Sequence, residues 1–167
     1  MNIPVRVEPS AGFLAAVDYR WDADTDILSA TLRAGEAAAH PRSTALELEG
    51  ADGSWVILDV RGGQISGVEV AVWPDVRKRH DLSPPAAVED ACVVVGAMEQ
   101  GKRLAVEVET LLQAESDRSE RTIHFRVGAS RDTRTVRIAR HILIDIDRRD
   151  RIAGLWLLDV PPYPDPT

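Results

Sequence analysis

Short segments in which hydrophobic and polar residues alternate, or in which β-branched residues cluster, occupy most of the chain. Such patterns predict strands that have one buried face. Gly, Pro, Asp or Ser residues separate them, as turns require. Short strands without intervening helices predict an all-β sandwich or barrel. The predicted strands are Ile3–Val7, Phe13–Tyr19, Ile27–Leu32, Ala45–Leu48, Trp55–Val60, Ile65–Val72, Ala91–Val95, Leu104–Leu112, Thr122–Val127, Thr135–Ala139, Ile142–Asp147 and Ile152–Asp159.

Helical patterns are short. Gly35–His40 is alanine-rich but is followed directly by Pro41, and Pro74–Leu82 is mostly charged. Neither supplies an apolar stripe over about a dozen residues, so each predicts a single helical turn at most.

The second half of the chain repeats the order of predicted strands and turns found in the first half. Residues 56–60 (VILDV) correspond to residues 142–146 (ILIDI), and residues 65–70 (ISGVEV) correspond to residues 152–157 (IAGLWL). Each pair of segments predicts a hairpin. Repetition of this kind predicts duplication of one β unit.

Gly67 and Gly154 occupy the same place in the two repeats, early in a strand. Glycine weakens a strand interior, so its presence there predicts a β-bulge or the close approach of another group.

These observations predict two related antiparallel β units of about six short strands each. The units would form a sandwich or a pseudo-twofold pair of sheets. The first repeat would span residues 1–80 and the second residues 88–160, with a Pro-rich linker at 81–87 and a Pro-rich, exposed tail at 161–167. One continuous domain is the alternative.

Composition and charge exclude several classes of protein. The formal net charge of −7 disfavours nucleic-acid binding, although Arg118–Arg151 holds ten arginines against five acidic residues. The chain lacks an apolar run of membrane-spanning length and a secretory signal at its start. Cys92 is the only cysteine, which excludes an internal disulfide and predicts a cytoplasmic protein.

The repeated segments resemble a small bacterial family known as domain of unknown function 2283. An aromatic-Asp-x-x-x-Asp-x-Leu segment is similar to Trp21–Leu28, and an Asp-containing hairpin with a later glycine is similar to residues 56–70 and 142–155. In the second copy, Asp117 stands for the first Asp, whereas Arg121 replaces the second. The resemblance implies a tandem bacterial β protein and carries no activity.

Acidic residues offer two candidate sites. Asp22, Asp24 and Asp26 alternate and are weak candidates for calcium, because Ile27 and Arg33 occupy the places where a calcium loop needs Gly and Glu. The alternative is a solvated turn capped by Asp side chains.

Asp59 and Asp145 end equivalent strands and would do acid–base chemistry if they converged in a cleft between the repeats. His141 is the third weak catalytic candidate, and His124 is expected near His141 in the same half. The alternative is that both aspartates form turns.

Arginines and one tryptophan form the candidate partner surface. Arg137 should point outward, opposite to Val136 and Ile138 on the same strand. Trp156 takes the place of Glu69 in the repeat, which predicts an exposed side chain at an interface. The alternative is that the tryptophan packs in the core or covers a strand edge. The predicted contact residues are Arg126, Arg134, Arg137, Arg140 and Trp156.

The sequence lacks catalytic signatures, and it predicts a non-catalytic binding or protein-interaction module without a cofactor. The module would self-associate or bind an acidic protein surface. A small-molecule binder or enzyme, with a cleft between the two repeats, is the alternative.

Overall fold

The computed structural model describes residues 3–10, 12–33, 43–86, 88–98 and 105–165. These residues form one strongly curled sheet, shaped like half a barrel, and a single turn of 3-10 helix at Gly96–Met98. The strands are β1 (Arg6–Pro9), β2 (Val17–Asp22), β3 (Ile27–Leu32), β4 (Ser43–Gly50), β5 (Trp55–Arg61), β6 (Gln64–Val72), β7 (Val76–Lys78), β8 (Glu89–Val94), β9 (Ala105–Thr110), β10 (Leu112–Ser116), β11 (Ile123–Val127), β12 (Thr133–Ala139), β13 (Ile142–Asp147) and β14 (Ile152–Leu157).

The all-β prediction is confirmed. Two local predictions are wrong. The segment predicted as one strand up to Leu112 divides at Leu111 into β9 and β10, and the second predicted helical turn contains β7 instead. The other predicted turn, Gly35–His40, lies outside the described residues.

Antiparallel pairing follows the same order in each half of the chain. In the first half the order is β2-β3-β6-β5-β4, and in the second it is β10-β11-β14-β13-β12. Alternation sets which face is buried: Val56, Leu58 and Val60 of β5 are almost fully buried, whereas Ile57 and Asp59 between them are partly exposed.

Parallel pairs join the two halves, so the prediction of purely antiparallel units is wrong. β7 follows the first half but pairs with β10 of the second, and β9 pairs with β4 of the first. β8 pairs in parallel with β12 and in antiparallel with β1. Because only Leu111 separates β9 from β10, the chain passes directly from one half to the other. The strand exchange crosses the boundary predicted at residues 81–87.

The core lies on the inner face of the curled sheet. Phe125, Leu28, Leu46, Leu58 and Ile144 are among its largest fully buried side chains. Burying each such side chain contributes roughly 1.5–3 kcal/mol to stability, so this shared core holds the two halves together.

A group of aromatic rings joins the tail to both halves. Trp21 and Trp73 stack with their ring centroids 5.7 Å apart, Trp73 contacts Phe125 at 5.9 Å, and Tyr163 meets Trp21 edge-on at 5.1 Å. The indole N–H of Trp21 donates to the carbonyl of Pro161 at 2.9 Å. The described part of the tail therefore contacts β2, while its residues 162–165 are exposed, as the prediction of an exposed tail expects.

Within the described residues, no helix is both long and apolar enough to cross a membrane.

A buried carboxylate organises the turn between β13 and β14. Asp147 is only 4% exposed, and its Oδ2 accepts hydrogen bonds from Nε of Arg131 and Nε of Arg151, both at 2.8 Å. The amides of Arg149 and Arg151 donate to its Oδ1 at 2.9 and 3.0 Å. Burial alone would raise the pKa of Asp147, but these donors overcome that effect and lower its pKa to about 2.

Replacing Asp147 by Asn should lower the free energy of unfolding by about 3 kcal/mol at pH 7, because two partly buried arginines lose their buried anionic partner. Since the folded-state pKa is lowered from 3.8 to about 2, this stabilisation is present above pH 4 and is lost as the pH falls towards 2. Urea unfolding of both proteins between pH 2 and 7 measures the difference. A constant difference across that range would contradict the assignment.

Candidate functional site

A glycine in β14 allows two side chains on non-adjacent strands to meet. Gly154 lies between Arg126 of β11 and Asp145 of β13 in the strand register. A Cβ there would overlap Oδ2 of Asp145 and would lie 2.9 Å from the carbonyl oxygen of Phe125 and 3.0 Å from Nε2 of His124. The register shifts immediately after Asp145, as in a β-bulge. The prediction of a bulge or close approach at Gly154 is confirmed.

The Asp145 carboxylate lies over this glycine and accepts hydrogen bonds from three side chains. Nε2 of His124 lies 2.8 Å from its Oδ2, and since a carboxylate only accepts, Nε2 carries the proton. The Thr135 hydroxyl and the Trp156 indole N–H donate to its Oδ1 at 2.6 and 3.2 Å. Asp145 is 6% exposed, so a satisfied polar network forms on the outer face of the sheet.

Trp156 is buried, which corrects its placement among the exposed contact residues and agrees with the alternative of core packing or edge cover. It is 6% exposed and stacks on the His124 ring, with 4.1 Å between centroids and 23° between planes. The Trp156 side chain lies on the outer face of the sheet with that of His124, as the repeat implies, but this face is covered. A side chain on the outer face is exposed only where no other segment packs over it.

The cover is the segment 79–86, called here the strap. Its start is held at β10 by the hydrogen bond from the Arg79 amide to the Ser116 carbonyl at 2.8 Å, and the chain rejoins the sheet where Glu89 pairs with Val136 of β12. Between these points, strap residues line cavities together with His124 of β11, Trp156 of β14 and Asp145 of β13. The predicted linker is thus a covering segment over the polar network.

Two cavities open beside the strap and share the same floor. One, of about 310 Å³, lies beside Leu82 and Ser83, and the other, of about 610 Å³, lies beside Pro85. Their common lining residues are His124, Thr133, Asp145 and Trp156. The smaller cavity is also lined by Arg126, which the partner-surface prediction had placed on an open surface.

The equivalent positions in the first half carry different side chains. Asp59 faces Gly67 across β5 and β6, and the register shifts after Asp59 as it does after Asp145. A Cβ on Gly67 would lie 2.9 Å from Oδ2 of Asp59 and 3.1 Å from the carbonyl oxygen of Ala30, so the close approach predicted here is confirmed too. In the pairing order, Ser29 stands where His124 stands, and Glu69 stands where Trp156 stands.

Without such donors, the acids of the first half are poorly stabilised as anions. Burial raises the pKa of Asp59, against a smaller opposing effect from Arg61. Burial and the neighbouring charge of Asp59 raise the pKa of Glu69.

The three predicted catalytic residues do not meet. Asp145 lines the cavities beside the strap, whereas Asp59 is not among the residues lining either one. His141 lies beyond the network, with Nε2 3.9 Å from Asp159 and 41% of its side chain exposed. Both aspartates lie within strands, so the alternative of turn-forming aspartates is also wrong.

The predicted contact arginines are engaged with nearby groups or exposed. Nε of Arg137 donates to Asp90 at 2.8 Å, opposite the buried Val136. Arg134 lies 3.6 Å from Asp150. Arg140 is exposed.

The three aspartates proposed for calcium form a turn. The Asp24 amide donates to Oδ1 of Asp22 at 3.0 Å, and the Tyr163 hydroxyl donates to Asp26. Within the described ranges, no cluster of three or more His, Cys, Asp or Glu side chains is arranged to hold a metal ion.

Sequence reasoning missed the contact of His124 with Asp145, and it missed Thr135 and Arg126 as lining residues of one site. The one indication in the sequence was Gly154, which predicts that another group lies close to this position. The pairing of β11 with β14 was needed to show that the Asp145 and His124 side chains meet there.

No protein-family model matches the chain, and no curated protein matches it either.

The variant Gly154→Ala should lower the free energy of unfolding by about 3 kcal/mol, because the new methyl group collides with a carboxylate and a backbone carbonyl. Gly67→Ala, at the equivalent position, should cost about 1–2 kcal/mol, since the groups it meets lie farther away. Urea unfolding at pH 7 measures both. Equal effects, or a larger effect at Gly67, would show that the Asp145 network is not tightly constrained.

Asp59→Asn should stabilise the protein at pH 7. Because the folded-state pKa of Asp59 lies above its ordinary 3.8, the folded state favours the protonated acid, and stability is lost as the pH rises through that pKa. The advantage of the variant should therefore grow from pH 3 to pH 7. Chemical unfolding across this range tests the sign, and a variant that is less stable at pH 7 would refute it.

Proposed function

We propose that this protein is a non-catalytic binding protein that holds a small molecule beside the strap, on the outer face of β11, β13 and β14. The observation that carries the proposal is a satisfied, buried polar network that forms the shared floor of two cavities. Small-molecule sites combine such fixed polar groups with partial enclosure, and volumes of about 300–1,000 Å³ are typical of them.

The hydrogen-bond directions support binding over catalysis. An activated hydroxyl nucleophile donates to a histidine, but the Thr135 hydroxyl donates to Asp145 at 2.6 Å. Asp145 holds both His124 and Trp156 in place, and the stacked rings give the site a rigid floor. Rigid, preorganised groups lower the entropy lost on binding.

Other expectations are retained as proposals. A common origin of the two halves, as a tandem copy of the resembled bacterial family, is supported by the shared pairing order and by the same Asp, Gly and bulge arrangement in each half. The two halves are proposed as pseudo-twofold units of one duplicated sheet. The single cysteine supports a cytoplasmic protein. Arg134, Arg137 and Arg140 remain the proposed surface for a second copy or an acidic partner.

Native mass spectrometry of protein purified without added ligand tests the proposed function. Ser83→Trp should fill the smaller cavity, whereas Ala86→Trp alters an exposed strap residue outside the lining of both cavities. We expect an added mass on the wild type and on Ala86→Trp that is lost from Ser83→Trp.

Bare chain mass in all three proteins, together with no thermal stabilisation by a panel of small metabolites, would refute small-molecule binding. Oligomers without added mass would favour the interaction surface instead.

A further inference from the structure

Arg126 is the group in the smaller cavity whose hydrogen-bonding capacity is least satisfied. Among the described residues, its buried Nε has no hydrogen-bond partner, and its Nη2 donates to the side-chain oxygen of Gln113. Gln113 is uncharged, so the described residues give the guanidinium no counter-ion. The side chain is only partly exposed, and a partly desolvated charge without an anionic partner is unfavourable.

The acidic residues that line this cavity are Asp81, Glu115 and Asp145, and Asp147 lies outside the lining. Each of the four has a partner among the described residues, and Asp81 lies 3.4 Å from Nε of Arg79. Glu115 accepts from Nη1 of Arg79 at 3.0 Å. Asp145 accepts from the three donors of the polar network, and Asp147 is held by Arg131 and Arg151. None of these acids is paired with Arg126 in the part of the chain that the structure describes. An anion supplied by a ligand would therefore give Arg126 the counter-ion that the described residues do not provide.

We infer that the ligand carries an oxyanion, a carboxylate or a phosphate, that binds the Arg126 guanidinium in the smaller cavity. The inference rests on the proposed function, because it concerns the same site. The planar guanidinium matches two oxygens of either group at once. Ser83 and Ser130 also line the cavity and supply hydroxyls for further oxygens. A volume of about 310 Å³ restricts the ligand to a small molecule.

A cationic or neutral ligand fits these contacts less well. A cation would compete for carboxylates that already have partners, since Asp145 accepts three hydrogen bonds and Asp81 and Glu115 pair with Arg79. A neutral ligand would leave the guanidinium charge uncompensated. The positive charge of Arg126 on the cavity wall thus favours an anionic ligand. The stacked His124 and Trp156 rings limit the shape of that ligand.

Titration of ¹⁵N-labelled protein with sodium acetate, sodium succinate and sodium phosphate tests the inference. The arginine Nε–H resonances are followed by NMR, with sodium chloride at matched ionic strength as the reference. Arg126→Gln is compared with Arg148→Gln, which removes an exposed arginine that pairs with Asp132 and lies outside the lining of both cavities. The carboxylate and phosphate arms distinguish the two sources of oxyanion.

We expect saturable shifts in the wild type and in Arg148→Gln, and an affinity weaker by about tenfold or more in Arg126→Gln. Arg126→Lys, which keeps the charge but loses the planar fork, should bind with intermediate affinity and shows that the site is folded. The inference fails if none of the three probes gives a saturable shift beyond that of chloride, or if Arg126→Gln binds as the wild type does.

The same variants separate this failure from failure of the proposed function. If native mass spectrometry finds a retained compound that Arg126→Gln holds as firmly as the wild type, the oxyanion assignment is wrong and the binding function stands. If Ser83→Trp and the wild type both carry no ligand and no probe binds, the binding function and the assignment fall together.

Discussion

The absence of a side chain at Gly154 is the constraint on which the outer face of the second half depends. β14 separates β11 from β13, so side chains on those two strands would ordinarily be kept apart by whatever projects from β14. With only hydrogen at this position, Asp145 extends across the strand and reaches His124 at 2.8 Å. The same carboxylate then fixes Thr135 and Trp156, and the floor of the candidate site follows from these contacts.

The two halves show what a shared backbone does and does not determine. Each places an aspartate opposite a glycine and shifts register directly after that aspartate. In the second half, three side chains donate hydrogen bonds to the buried acid. In the first half, burial is the larger influence and the pKa of Asp59 is raised. The backbone arrangement therefore permits a buried carboxylate, while the residues around it decide whether its charged form is stabilised.

The positions of the strands and the roles of Gly67 and Gly154 could be predicted because they depend on short stretches of sequence. Alternation identified β5 and most other strands, and comparison of the repeats identified Gly67 and Gly154. The strand pairs that join the two halves could not be predicted in this way, since β7 and β9 pair with strands of the other half. For the same reason Trp156 was wrongly placed in solvent: its register position was inferred from the repeat, but the strap that covers it belongs to a distant segment.

One feature of the sequence nevertheless indicates that the outer face of β14 is covered. In β6, Val68 and Val70 flank Glu69, as expected for a strand with one solvated face. The matching residues of β14 read Leu155, Trp156 and Leu157 without a polar interruption, and every residue of β13 and β14 is buried. A continuous apolar run of this kind indicates a strand covered on both faces. The difference between the copies thus points to a covered face within the second half, beside the strap, and away from a shared cleft between the repeats.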